Sequence, residues 1–304
     1  MQARSSRSAR DARGGKMTGG TVNPEGKENK NQLASELYDL LIGPLIKDIG
    51  DKKLVAIVPS GFLCFVPFDA LMEQDADGSS HYFCEEKQLF YVNKISTITN
   101  TITESFKEFR IVAVGNADKS LPNSEDEVKA LKAQLSQTVI YLREQATKKN
   151  VLSNKSDFNI LHLATHGVLD YSNADSSYLV LASDPTNQDD GRLTIAQIQT
   201  MTDIDRFRMV TLSACETAVI REVAEGWPIS TASAFIEMGV PTVIATLWAV
   251  DDKATRILID KFYANLAKMD KVQALQQAQL FLKKQTGYED PYYWAPFQLV
   301  GFWK

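Results

Sequence analysis

Short, continuously apolar runs alternate with helix-patterned segments along most of this 304-residue chain, and that alternation limits what it can fold into. Leu54–Val58, Ile111–Val114, Val139–Leu142, Ile160–Ala164, Tyr178–Leu181, Met209–Leu212 and Thr242–Leu247 read as strands. Glu125–Leu135 (with Ser124 as its cap), Ala232–Met238, Lys253–Leu266 and Gln273–Lys284 read as helices. Ahead of them, Leu33, Leu37, Leu40, Leu41, Leu45 and Ile49 follow helical spacing, with Gly50 as a stop. Strands without polar alternation suit a sheet covered on both faces. Strands alternating with helices predict a mostly parallel α/β sandwich.

Charge divides the chain at about residue 32. Residues 1–32 carry seven basic and three acidic residues, net +4, which leaves −9 for residues 33–304 out of the total of −5. The first segment is nearly empty of apolar side chains, so burial cannot offset its ordering entropy, and it reads as a disordered basic tail. Its Arg4, Arg7, Arg10 and Arg13 resemble a mitochondrial transit peptide, but Ala3, Ala9 and Ala12 give it no apolar face. A solvated tail or a fragment edge, with a cytoplasmic body, is the expectation. The body's acidity excludes a broad nucleic-acid footprint. Its longest apolar run, Val240–Val250, is about half of what a membrane span needs. Three cysteines make no disulfide framework.

In α/β folds, chemistry gathers at the carboxyl ends of strands. One predicted strand runs into Thr165-His166-Gly167 and another into Ser213-Ala214-Cys215-Glu216-Thr217. A thiol needs a base to become the nucleophilic thiolate, and an imidazole can take that proton and later protonate a leaving amine. Gly167 leaves its backbone approachable, so the amides of Gly167 and Cys215 are candidates for an oxyanion site. His162 reads as a core residue, His81 has no evident role, and Cys64 and Cys84 read as packing residues among phenylalanines.

Further motifs occur in order. They are Ile57-Val58-Pro59-Ser60-Gly61 leading to Val66-Pro67-Phe68-Asp69-Ala70-Leu71, Val112-Ala113-Val114-Gly115-Asn116 and Leu121-Pro122. Next come His162-Leu163-Ala164-Thr165-His166-Gly167, Leu212-Ser213-Ala214-Cys215-Glu216-Thr217-Ala218 and Glu225-Gly226-Trp227. The last are Ala245-Thr246-Leu247-Trp248-Ala249-Val250-Asp251-Asp252, Phe262-Tyr263 and Pro291-Tyr292-Tyr293-Trp294-Ala295-Pro296-Phe297. This ordered set resembles the CHAT domain, a clan CD peptidase module related to caspases and separases and often found behind tetratricopeptide repeats. The resemblance covers residues 33–304 and implies a caspase-like α/β/α sandwich with a mostly parallel central sheet. It implies a cysteine endopeptidase acting in regulated proteolysis, with His166 as general base and Cys215 as nucleophile.

For substrate selection, Asp251 and Asp252 follow an apolar strand. Either they cap the next helix, or one of them faces a cationic P1 side chain. Separases resemble this segment and favour Arg at P1, so Asp252, Asp251 and Asp170 are the candidate S1 residues. The stretch Ala218–Ala224 lacks the family's glycines and places Arg221 where caspase relatives are cut, a candidate autoprocessing site. The loop Asp184–Asp190 lacks the EF-hand order, and Gly115-Asn116 lacks a dinucleotide fingerprint, so no metal and no cofactor are expected. Expected partners are a protein substrate and an activating sensor or tetratricopeptide-repeat chain, with no nucleic acid and no membrane. A catalytically silent scaffold is the alternative function.

Overall fold

A computed structural model describes residues 24–75, 77–93, 108–152, 157–170, 172–213 and 230–304. Eight strands form the central sheet: β1 (Leu54–Ile57), β2 (Gln88–Tyr91), β3 (Ile111–Gly115), β4 (Thr138–Leu142), β5 (Ile160–Ala164), β6 (Met209–Leu212), β7 (Thr242–Thr246) and β8 (Phe297–Gly301). Their order is β1-β2-β8-β7-β6-β5-β3-β4. Every neighbouring pair is parallel except β7 and β8. Two parallel blocks therefore meet back to back at one antiparallel seam, and the expected mostly parallel sandwich is what forms.

The continuous apolar strands are explained by two cores. Successive side chains on a strand point to opposite faces. Ile111, Ala113, Ile160, Met209, Ile244 and Leu299 feed one face. Val112, Val114, Leu161, Leu163, Val210, Leu212, Val243 and Val300 feed the other. The first face is covered by α2 (Pro122–Gln134), α4 (Asp252–Leu266) and α5 (Lys271–Lys283) through residues such as Val128, Leu131, Leu258, Phe262 and Leu275. The second takes Tyr38 and Ile42 at the end of α1 (Pro24–Leu41), and Ala234 and Phe235 of α3 (Thr231–Glu237).

Several boundaries differ from the sequence pattern for identifiable reasons. The helical spacing over 33–49 does not form one helix. Helix α1 begins at Pro24 and stops at Leu41, a 3₁₀ turn spans Gly43–Leu45, and Ile46–Ile49 resumes. Pro44 cannot donate an amide hydrogen bond there, and Gly50, at φ +51°, closes the segment. Ser124 does not cap α2. Pro122 opens that helix, where a missing amide costs nothing, and the Ser124 hydroxyl donates to the Leu121 carbonyl at 2.7 Å. Tyr178–Val180 does not join the central sheet. It is the middle strand of a small antiparallel sheet with Gly167–Val168 and Arg192–Thr194. Strands β2 and β8 escape the sequence reading, the second because Gln298 and Gly301 interrupt its apolar run.

Asp69 is a buried carboxyl beneath this sheet. Tyr91 OH donates to its Oδ2 at 3.0 Å and Gln279 Nε2 to its Oδ1 at 3.3 Å. Burial pushes the carboxyl up to about 7, against the pull of those two hydrogen bonds. A raised carboxyl binds its proton more tightly folded than unfolded. Its contribution is therefore present below the ordinary carboxylate range and is lost as pH rises through about 7. Asp69→Asn keeps the shape without the titration. We expect the variant to gain about 2–4 kcal/mol relative to wild type between pH 4.5 and pH 8. Urea unfolding of both proteins at the two pH values measures this, and an unchanged difference would contradict it.

Candidate active site

The chain leaves β3 toward β4 at the sheet edge and then returns to β5 on the other side of β3. Loops following β3 and β5 therefore diverge, and the gap between them is the crevice in which open α/β sheets carry their sites. Gly115 ends β3 because α2 lies against it. A Cβ there would meet the Ser124 carbonyl at 2.9 Å and Val128 Cγ2 at 3.0 Å. This close approach ties the loop Asn116–Leu121 to the start of α2.

That loop is held tightly. Asn116 and Lys119 both have positive φ, at 53° and 69°, a conformation that side chains disfavour and that surrounding structure must impose. Asn116 is buried, accepts from the Leu121 amide at 2.8 Å and donates to Glu125 Oε1 at 2.7 Å. Glu125 also accepts from Arg143 Nε at 2.6 Å and Lys129 Nζ at 3.1 Å, and Lys119 pairs with Glu144. The hydrogen bonds from Arg143 and Asn116 hold the Glu125 carboxyl down at about 2, so it stays charged across the physiological range.

This braced loop meets His166, which follows β5. His166 Nε2 lies 2.7 Å from Ser120 Oγ and 4.0 Å from Asp118 Oδ2. Asp118 Oδ1 accepts from the Ser120 hydroxyl at 2.7 Å and from its amide at 3.1 Å. Burial alone would push the Asp118 carboxyl up. The two bonds from Ser120 and the facing imidazole together hold it below its usual value. Gly167 opens the short strand Gly167–Val168, and the His166 carbonyl accepts from the Val180 amide at 2.9 Å.

Cys215 and Arg221 lie outside the described residues. The register around them is nonetheless informative. Strands β5 and β6 pair in parallel with Leu163 opposite Leu212. His166 and Cys215 each come three residues after those partners in sequence. Parallel neighbours lie about 4.8 Å apart, so β5 and β6 end side by side at this edge of the sheet.

Beside this edge is a pocket lined by Leu121, Ser124, Glu127, Thr165, Ser213, Thr246, Val250, Asp252 and Thr255. The three candidate acids separate here. Asp251 is the N-cap of α4, its Oδ1 accepting from the amides of Lys253 and Ala254 at 3.0 Å each. Asp252, the next residue, faces the pocket and accepts from Asn123 Nδ2 at 3.3 Å. Asp170 folds onto its own loop, accepting from the Ser172 amide and hydroxyl and the Asn173 amide, and does not line the pocket.

The pocket holds a second carboxylate that the sequence reading missed. Glu127 is 3% exposed, and its Oε1 lies 2.9 Å from Nε2 of His162, which is fully buried. His162 Nδ1 is 3.3 Å from Tyr263 OH, which is 2.9 Å from Thr211 Oγ1. His162 is thus a core residue, but one that holds a pocket carboxylate. An acidic residue on the sheet-facing side of α2, near the end of a strand carrying His, was the available signal.

Elsewhere, Cys64 and Cys84 are buried free thiols, both pushed up by burial. In the loop 184–190, Asp184 accepts from Thr186 and Asn187, and Asp189 pairs with Lys148 at 2.8 Å. Among the described residues no cluster fit for a metal ion occurs, and no helix is long and apolar enough to cross a membrane.

The chain is 25% identical over 353 aligned positions to mouse tetratricopeptide repeat protein 28, covering 93% of this chain and 14% of that protein. Its fold is similar to Saccharomyces cerevisiae separase, solved with securin, at a TM-score of 0.55 and 13% identity, over 81% of this chain and 15% of that one. It is also similar to the Arg-specific cysteine proteinase gingipain R, at a TM-score of 0.53 and 10% identity, over 92% and 68% of the two chains. The chain thus spans about a seventh of the mouse relative and of the separase chain. The CHAT domain model matches residues 31–302, nearly the whole sequence, and the chain belongs to the CHAT domain family.

Proposed function

We propose that this chain is a cysteine endopeptidase whose His166–Cys215 dyad cleaves a protein substrate after a basic P1 residue. The observation that carries this reading is the parallel pairing of β5 and β6, the strands that precede His166 and Cys215 in sequence, beside a pocket that Asp252 and Glu127 line. His166 accepts the Cys215 thiol proton, and the thiolate attacks the scissile carbonyl to form an acyl-enzyme. The imidazolium returns its proton to the leaving amine, and water then releases the acyl group. The amides of Gly167 and Cys215 are the oxyanion donors in this scheme. Asp252, which lines the pocket together with the buried Glu127, is the proposed partner of an arginine or lysine side chain. The solved relative named Arg-specific supports that choice. Arg221, in the segment after the nucleophile, is the proposed autoprocessing site. Partners in this proposal are the protein substrate and an activating sensor or tetratricopeptide-repeat region, and the compartment is cytoplasmic.

A scaffold reading has one observation in its favour: the mouse relative is named for its repeats and not for an activity. A thiol-reactive peptide probe with Arg at P1 separates the two. We expect labelling of wild type at Cys215, none of Cys215→Ala, and at least tenfold slower labelling of His166→Ala. Intact masses from the same samples report cleavage at Arg221. Labelling that ignores His166, with no peptide hydrolysis in any condition, would favour the scaffold.

A further inference from the structure

The contact between His166 and the loop following β3 decides something the dyad leaves open, namely which imidazole nitrogen carries the proton. A neutral imidazole has one N–H and one lone pair, and only the lone pair can serve as base. A serine hydroxyl has one proton to give. Ser120 spends it on Asp118, whose Oδ1 lies 2.7 Å away and accepts the Ser120 amide as well. Ser120 Oγ must then meet His166 Nε2, also 2.7 Å away, as an acceptor. That geometry requires Nε2–H and leaves the lone pair on Nδ1.

We propose that Asp118 and Ser120 are positioning residues that fix His166 in the Nε2–H tautomer and present Nδ1 as its basic nitrogen. The inference rests on the dyad reading above for its purpose, though not for its geometry. When the thiol proton moves to Nδ1, the sulfur is left as thiolate and the ring becomes an imidazolium with both nitrogens protonated. Asp118, 4.0 Å from Nε2, is the anion facing that new charge. It is the only carboxylate paired with His166 among the described residues. Lys119, next to Asp118 in sequence, is paired with Glu144.

The construction of the loop supports a dedicated role. Two left-handed non-glycine residues, Asn116 and Lys119, bracket Asp118. The buried Asn116–Glu125 contact and the Arg143 pair hold that conformation from behind. An exposed loop needs no such bracing. A loop that must hold one hydroxyl 2.7 Å from an imidazole does, because sub-ångström errors at a reacting centre are costly.

The chain has only three histidines, so nitrogen-15 NMR of the ring resolves His166 directly, with His166→Ala giving the assignment. In Cys215→Ala protein, where no hydrolysis intervenes, His166 should be a single Nε2–H tautomer. Ser120→Ala should turn it into a mixture, and Ser120→Thr, which keeps the hydroxyl, should restore it. In the Cys215 enzyme, Ser120→Ala and Asp118→Asn should lower kcat about 10- to 100-fold with KM changed less than twofold. A His166 tautomer that is mixed in the parent, or unmoved by Ser120→Ala, overturns the relay. Tautomer changes as predicted in a chain that hydrolyses no peptide would support the relay and overturn the peptidase reading.

Discussion

Cys215→Ala should lower kcat/KM for peptide hydrolysis by about 10⁴-fold or more, with the folded state within about 1 kcal/mol of wild type. The magnitude follows from the chemistry. In the proposed scheme no acyl-enzyme forms without sulfur, and neither the proposed oxyanion donors nor the pocket can substitute for a nucleophile. His166→Ala should cost nearly as much, because an unassisted thiol is mostly protonated at neutral pH. The double variant should be little worse than either single one, since residues acting as a unit are strongly non-additive. Steady-state kinetics on one fluorogenic substrate measures all three. If Cys215→Ala retained more than a tenth of the activity, hydrolysis would belong to another group. The strand register is the structural reason to expect the pair to act together. Leu163 faces Leu212, and His166 and Cys215 each follow those paired residues by three positions in sequence.

Asp252→Asn should lower kcat/KM for substrates with Arg or Lys at P1 by about 10- to 100-fold and leave neutral P1 substrates nearly unchanged. A hydrogen bond to a charged group contributes about 1.5–3 kcal/mol, and each 1.4 kcal/mol is tenfold. Asp252 is the cleaner of the two pocket acids to replace. Among the described residues its carboxylate accepts a side-chain hydrogen bond from Asn123 at 3.3 Å, and it sits in the first turn of α4, where an amide is tolerated. Glu127→Gln would report on the same charge but also disturbs His162, whose buried ring it holds at 2.9 Å. Asp251→Asn should instead cost part of a helix cap and leave P1 preference alone, because the Asp251 carboxylate is taken up by Lys253 and Ala254 amides. Kinetics on paired Arg and norleucine substrates decides. An equal loss on both would mean that Asp252 acts on folding and not on selection.

The sandwich was legible in the sequence because two-sided burial leaves an unmistakable trace. Strands such as Ile111–Gly115 and Ile160–Ala164 are buried at every position, so their composition announces both cores at once. The ends of β5 and β6 were legible for a related reason, since polar and small residues there break long apolar runs. What the sequence could not show was pairing at a distance. Nothing in Gln88–Tyr91 or Phe297–Gly301 says that β8 pairs with β7 in reverse and with β2 in parallel. Asp251 and Asp252 look alike as adjacent acids. Only the start of α4 separates the cap from the pocket residue. Ser120 was invisible because it meets a histidine 46 residues away through sheet topology and not through a motif, and Glu127, 35 residues from its histidine, left only the trace of an acid on the sheet-facing side of α2.

Terminal profiling of a proteome incubated with wild-type protein or with Cys215→Ala tests proteolysis and its P1 preference together. New amino termini should appear only with wild type and should follow Arg or Lys. Identical terminal profiles from the two proteins, or wild-type cuts that follow Asp or Leu, would contradict this expectation.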